Sequence, residues 1–226
     1  MEKEEEPIQR NILQTSLDWL YDQATQGAAN PMSAQSLAKD FQKNGESQEK
    51  QVENLIRWQV IHSGGIGFLS GFGGLASLPI ALPSSLAATL YVQIRMIAAI
   101  ATIYGYDLQN DRVRTFVFVS LVGNTAQNIL KDISIQLGRK ITELAIEKVS
   151  ASALVKINEL VGFKLISKFG EKSIINLSRG VPLVGALVGG GIDAYATYMI
   201  GITAQGIFRN EFILSENDPF VTNLSS

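Results

Sequence analysis

The chain has 226 residues, with 19 Lys+Arg against 21 Asp+Glu, one His and no Cys. That composition excludes disulfides, thiolate metal sites and Cys nucleophiles, and leaves too little imidazole for a multi-His metal site. At 46% apolar and only 18% charged, it predicts one domain with a very apolar helical interior or a membrane contact, and a net charge of −2 gives no drive toward nucleic acid.

The acidic start, MEKEEE, is the reverse of a secretory leader. It predicts a solvated, disordered tail over residues 1–6 and an intracellular chain. From Pro7, the positions Leu13, Leu17, Leu20 and Ala24 recur at helical spacing, with Trp19 and Tyr21 on the flank and Gly27 as the stop. Ser33 is placed to cap a short helix to about Lys43. Ser47 is placed to cap a third helix carrying Val52, Leu55, Ile56 and Gln59.

Residues 64–83 are apolar and glycine-rich, with Gly at six of the eleven positions from Gly64 to Gly74. Gly67, Gly71 and Gly74 share one helical face, a spacing that lets a second backbone approach closely. Pro79 and Pro83 break any helix there. Ser84 or Ser85 then caps a long apolar helix to about Tyr104, and YGYD over 104–107 is a turn. Residues 113–122 (VRTFVFVSLV) have the β-branched and aromatic composition of a strand. A lone strand among helices has no partner, so a helix is expected. Amphipathic patterns predict helices over 124–149 and 152–169, a connector over 170–179, and a last apolar helix over about 182–209. The chain closes on a polar tail over 213–226.

The charges are unevenly spread. Residues 131–179 carry nine basic and five acidic groups, including Lys148, Lys156 and Lys164 at intervals of eight. These are ordinary solvated lysines or contacts to anionic headgroups. Residues 63–106 hold one charge, Arg95, and residues 180–208 hold one, Asp193. A buried charge needs a partner, so an Arg95–Asp193 ion pair joining the two most apolar helices is expected. The competing arrangements are Arg95 bonded to carbonyls or reaching solvent, and Asp193 capping a helix break. No apolar block is a clean transmembrane span. Gln93 and Arg95 interrupt one, Asp193 another, and glycines with Pro79 the third.

Catalytic and nucleotide motifs are missing. No Walker loop is present, and the Gly65-Ile-Gly67 start of a dinucleotide fingerprint has Ser at position 70. GFLSG places its Ser one position late for a nucleophile elbow. The two SxxK pairs, Ser36–Lys39 and Ser47–Lys50, fit caps followed by surface lysines. His62, the single imidazole, fits a helix C-terminus whose carbonyls it satisfies. Asp18 and Asp22, one turn apart, fit a solvated helix face better than a carboxylate pair.

The ordered series LDWLYD (17–22), LIRWQ (55–59), GFLSGFGG (67–74), LPIALPSSLAATLYVQIRMIAAIA (78–101), YGYD (104–107), VRTFV (113–117), ILKD…LGRK (129–140) and VPLVGALVGGGIDAYAT…IG (181–201) resembles the EcsC protein family. The resemblance implies a bacterial, mostly helical protein, with some relatives encoded beside ABC-transporter genes and no catalytic residues to carry across. The expected architecture is all-α: a single-domain bundle over 7–212 with two very apolar central helices and a glycine-rich apolar segment. The expected function is non-enzymatic and without a cofactor. The protein would be cytoplasmic or peripherally membrane-associated, engaging membrane lipid or an integral membrane protein through Gly67, Gly71, Gly74, Lys148, Lys156 and Lys164. A membrane-inserting, pore-forming effector would use the same segments. A hydrolase of lipid or cell wall would need motifs this sequence lacks.

Overall fold

The structure is a computed structural model that describes residues 2–43, 45–63, 84–137, 146, 149–176 and 186–209. The described elements are all helical: α1 (Glu2–Ala24), α2 (Ala34–Phe41), α3 (Gln48–Ser63), α4 (Ser84–Ile103), α5 (Asp111–Leu121), a 3-10 turn (Gly123–Thr125), α6 (Ala126–Leu137), α7 (Ala151–Asn176) and α8 (Ala186–Phe208). The all-α expectation holds. Gly67, Gly71, Gly74 and Lys148 lie outside the described residues.

α4 is the hub. It packs against α1, α2, α3, α5 and α8. Six consecutive residues, Met96 to Ala101 (MIAAIA), include Met96, Ile97, Ala98, Ala99, Ile100 and Ala101, all at 0% exposure. Six residues sweep more than one full turn, so this part of α4 has no solvent side. The window Leu86–Ile103 is long and apolar enough to cross a membrane, but 78% of it is buried within the bundle. Its neighbours bury their own apolar stripes on it, as Leu13, Leu17, Leu20 and Ala24 do along α1.

Local signals set the helix starts. Ser33 Oγ accepts from Ser36 N at 3.1 Å, and Ser47 Oγ accepts from Lys50 N at 3.3 Å, so both expected caps form. Asn110 caps α5, accepting from Arg112 N at 2.9 Å. The strand-like segment 113–121 is helical within α5, where Val113 and every residue from Thr115 to Leu121 are buried. Burial among α4, α7 and α8 outweighs the weak intrinsic β preference.

Three expectations are corrected. α1 starts at Glu2, so the acidic run is helix and not a disordered tail; carboxylates suit the positive end of a helix dipole. The helix expected over 124–149 is shorter, because 123–125 is a 3-10 turn and Val149 and Ser150 are non-helical. Ser150 instead caps α7, accepting from Ala153 N at 3.3 Å. α7 continues through Gly170 to Asn176, into the expected connector. α8 packs against α3, α4, α5 and the 3-10 turn, burying Thr197, Ile200, Ala204 and Phe208 while Tyr195 and Tyr198 are exposed.

Arg95 is buried at 6% exposure and donates to carbonyls. Its Nε donates to Ser33 O at 3.2 Å and its Nη2 to Pro31 O at 3.0 Å. Tyr91 Oη donates to Met32 O at 2.8 Å. Three consecutive carbonyls before α2 are thus held from one face of α4. Burial lowers the Arg95 pKa, against the opposing pull of Tyr91 and Asp40. The carbonyl arrangement weighed for Arg95 is present; the Asp193 side chain lies outside the described residues, so the expected ion pair is not placed.

α3 and α8 pack antiparallel, since Glu49 meets Arg209 near one end and Ile56 meets Gly201 midway. A Cβ on Gly201 would sit 2.9 Å from two Ile56 side-chain carbons. These carbons, Cγ1 and Cγ2, are both bonded directly to Ile56 Cβ, so they cannot swing aside cheaply. Gly201→Ala is therefore expected to destabilise by about 1–3 kcal/mol, although Ala favours a helix over Gly by about 1 kcal/mol. In an Ile56→Ala background the same change should be neutral or stabilising. Denaturant unfolding of the four proteins checks this, and a more stable Gly201→Ala single variant contradicts the close contact.

Candidate functional site

Several chain ends and turns converge at one end of the bundle. α4 stops in a Schellman motif: Gly105 N donates to Thr102 O and Tyr106 N to Ala101 O, each at 3.0 Å. Gly105 has φ +87°, a left-handed conformation that strains any residue with a Cβ. Asp107 then makes an Asx turn, its Oδ1 accepting from Gln109 N at 2.9 Å. Neighbouring helices pin this turn. Tyr21 Oη donates to Leu108 O at 2.8 Å, and Gln48 Nε2 donates to Ile103 O at 2.7 Å. Arg112 Nε donates to Val149 O at 2.9 Å, and the Tyr106 ring meets the edge of Phe208 with centroids 5.3 Å apart.

A cavity of about 490 Å³ opens here, lined by Gln48, Tyr104, Gly105, Tyr106, Asp107, Asn110, Val113, Ile146, Phe208 and Arg209. Its size is in the range of small-molecule sites. Arg209 is engaged by Glu49 at 3.5 Å.

A polar cluster lies on α1 and α5 beside this turn. Arg114 pairs with Asp18 at 3.6 Å and with Asp22, and its guanidinium sits 4.8 Å over the Tyr21 ring. The two aspartates therefore share one cation on a partly exposed face. Burial raises the Asp18 pKa above the ordinary 3.8, opposed by the Gln14 hydrogen bond and the Arg114 charge. Burial also pushes the Tyr21 phenol up.

The remaining sequence candidates are scattered. His62 is exposed, its Nδ1 donating to Trp58 O at 2.7 Å and its ring stacked on Trp58 at 4.4 Å. That is the carbonyl-satisfying role expected of it. Lys156 and Lys164 are both exposed on α7, near the exposed Val155 and Phe163. The cavity was not visible in the sequence, because its lining comes from separate parts of the chain; YGYD was the one local sign.

The profile of the EcsC protein family matches residues 7–211. The chain belongs to the EcsC protein family. No curated protein and no solved structure matches it. The motifs that carry the EcsC resemblance are packing partners. LDWLYD meets YGYD's flank through Tyr21 and Leu108, and meets VRTFV through Asp22 and Arg114. LIRWQ meets the final IG through Ile56 and Gly201. Much of what marks this EcsC chain is thus the assembly of its bundle.

A carboxyl with a raised folded pKa binds its proton more tightly folded than unfolded, so its ionisation opposes folding. The penalty is present at neutral pH and is relieved as pH falls through the raised value. Relative to Asp18→Asn, the wild type should gain stability between about pH 7 and 4, by a few tenths of a kcal/mol (~0.2–1) for so exposed a cluster. Unfolding both proteins across that range tests it; a wild type that loses ground to Asp18→Asn contradicts the burial effect.

Proposed function

We propose that this EcsC protein is a non-enzymatic, peripherally membrane-associated protein. It meets the lipid surface with the end of the bundle opposite the 104–107 turn. The observation that carries the reading is where four of the six large exposed apolar side chains among the described residues lie; Ile12 and Val155, the latter in the first turns of α7, are the other two. Ile61 is 76% exposed, Tyr195 65% and Phe163 52%, with Tyr198 also exposed. At a rise of 1.5 Å per residue, Ile61 is about 20 Å along α3 from Gln48, and Tyr195 about 21 Å along α8 from Arg209. Because those helices are antiparallel, Ile61 and Tyr195 fall at one level, far from the turn. α7 also starts at the turn end, where Val149 meets Arg112, and runs away from it toward Phe163.

Sequence supports the same end. α3 leads into the uncharged stretch 63–83, and α8 is preceded by the uncharged stretch 180–185. Tyrosine suits the membrane–water interface, where its ring meets apolar chains and its hydroxyl stays wet. Lys164 adds roughly 1 kcal/mol near an anionic surface, while Lys156, in the second turn of α7, lies nearer the turn end. The acidic start of α1 opposes that attraction, since α1 begins far from Tyr21 and the turn. Apolar contact is therefore the main attachment and charge the smaller part.

Co-sedimentation with vesicles tests this. The wild type should bind vesicles containing anionic lipid, and neutral ones more weakly. Ile61→Ser, Tyr195→Ser and Tyr198→Ser combined should reduce binding by about tenfold or more, since each removes burial of an apolar side chain. The melting temperature should change little, because all three side chains are exposed. Unaltered binding by the triple variant contradicts the proposed surface. Binding to native membranes but not to protein-free vesicles would instead indicate an integral membrane protein as the partner, which the transporter-linked relatives implied by the resemblance would fit. Release of an entrapped dye would favour the pore-forming reading, in which the apolar segments insert into the bilayer.

A further inference from the structure

The two halves of α8 are held unequally. From Ile200 onward the helix buries Ile200, Gly201, Ala204, Ile207 and Phe208. That half is pinned by Ile56 against Gly201, by Tyr106 against Phe208 and by Glu49 with Arg209. Over residues 194–199 the one buried side chain is polar, Thr197 at 3% exposure, and Tyr195 and Tyr198 are exposed. Thr197 lies one turn before Gly201 and so shares its side of the helix, the side that meets α3. One turn beyond Ile56, on the matching side of α3, stands Gln59, also buried. The seam between α3 and α8 is thus close-packed at Ile56 and Gly201 and polar on the next turn.

α4 adds a buried amide at the same level. Gln48 bonds Ile103 O, so α3 starts where α4 ends. At 1.5 Å per residue, Gln59 is about 17 Å along α3 from Gln48, and Gln93 about 15 Å along α4 from Ile103. Gln93 is two residues from both Tyr91 and Arg95, which bond the carbonyls before α2. It therefore points away from α2, toward the side of α4 that α5 and α8 cover. It is 7% exposed, and its Oε1 has no hydrogen-bond partner among the described residues. By contrast Gln51, Arg95 and Thr203, buried polar side chains of α3, α4 and α8, each bond a backbone carbonyl. A buried oxygen without a donor penalises the closed arrangement, and water reaching it removes the penalty. Gly201, where the polar half of α8 meets the pinned half, is also the residue at which a helix bends most cheaply. We infer that the part of α8 before Gly201 lifts from α3 and α4, pivoting at Gly201, while the turn-side half stays docked. The lift opens Gln93 to water and gives Tyr195 and Tyr198 a second position. It takes place in solution, so it does not depend on the membrane reading.

Labelling of the native full chain with a water-soluble maleimide tests it. Thr197→Cys reports on the lifting part and Ala204→Cys on the docked half. Position 197 should react about tenfold or more faster than position 204. Gln93→Leu removes the unpartnered oxygen, and should slow the reaction at position 197 by about tenfold while raising the melting temperature. A fast reaction that came only from static exposure at position 197 would not respond to a change at position 93. If Gln93→Leu packs badly and lowers stability, Gln93→Met supplies the comparison with a side chain of nearly the same length. The inference is overturned if position 197 reacts no faster than position 204, or if neither replacement of Gln93 slows it.

Discussion

The fold depends on one constraint: α4 is a 20-residue helix with a single charge and, over its centre, no face left for water. Such a helix is stable only if its neighbours cover it on every side. That requirement dictates the stripe on α1, the apolar side of α8 and the burial of nearly all of α5. It also dictates how Arg95 is satisfied. A guanidinium in that setting needs acceptors, and the backbone before α2 presents the carbonyls of Pro31 and Ser33 to it. The position of α2 is thereby tied to the one charge its neighbour α4 carries.

The burial that closes around α4 is not uniform over the rest of the molecule. At the turn end, hydrogen bonds and ion pairs link α1, α3, α4, α5, α7 and α8 through Tyr21, Gln48, Arg112, Glu49 and Arg209. At the opposite end, large side chains such as Ile61 and Tyr195 face outward. The polar end carries specific geometry and a cavity; the apolar end carries surface suited to a nonspecific apolar medium. The close approach of α3 and α8 at Ile56 and Gly201 connects the two ends mechanically.

The parts of this fold that were legible in the sequence rest on local physics. Ser33 and Ser47 cap because a hydroxyl just before a helix reaches the N–H groups inside it. Residues 113–121 could be assigned to helix despite their composition, since a strand would have had nothing to pair with. The need for a partner at Arg95 was legible from its isolation, but carbonyls are present at every residue and leave no mark in the sequence. The helix boundary at Asn176 was missed because a glycine at 170 weakens a helix without ending it. The acidic run at 2–6 was missed because its polarity resembles a tail as closely as it resembles a helix start. The cavity was illegible because Gln48, Asp107, Ile146 and Arg209 are far apart in sequence and meet only after α4 has fixed the directions of its neighbours.

The chain contains no Cys, so single cysteines are clean reporters of burial. The most direct test of the central claim compares Ala99→Cys, at the centre of α4, with Tyr195→Cys, on the outer face of α8. Each is exposed to a water-soluble maleimide in the native state and after denaturation. The account predicts rapid native labelling at position 195, and labelling at position 99 only once the bundle is unfolded. Native labelling at position 99 as fast as at position 195 would show that α4 is not the covered hub from which the rest of the structure follows.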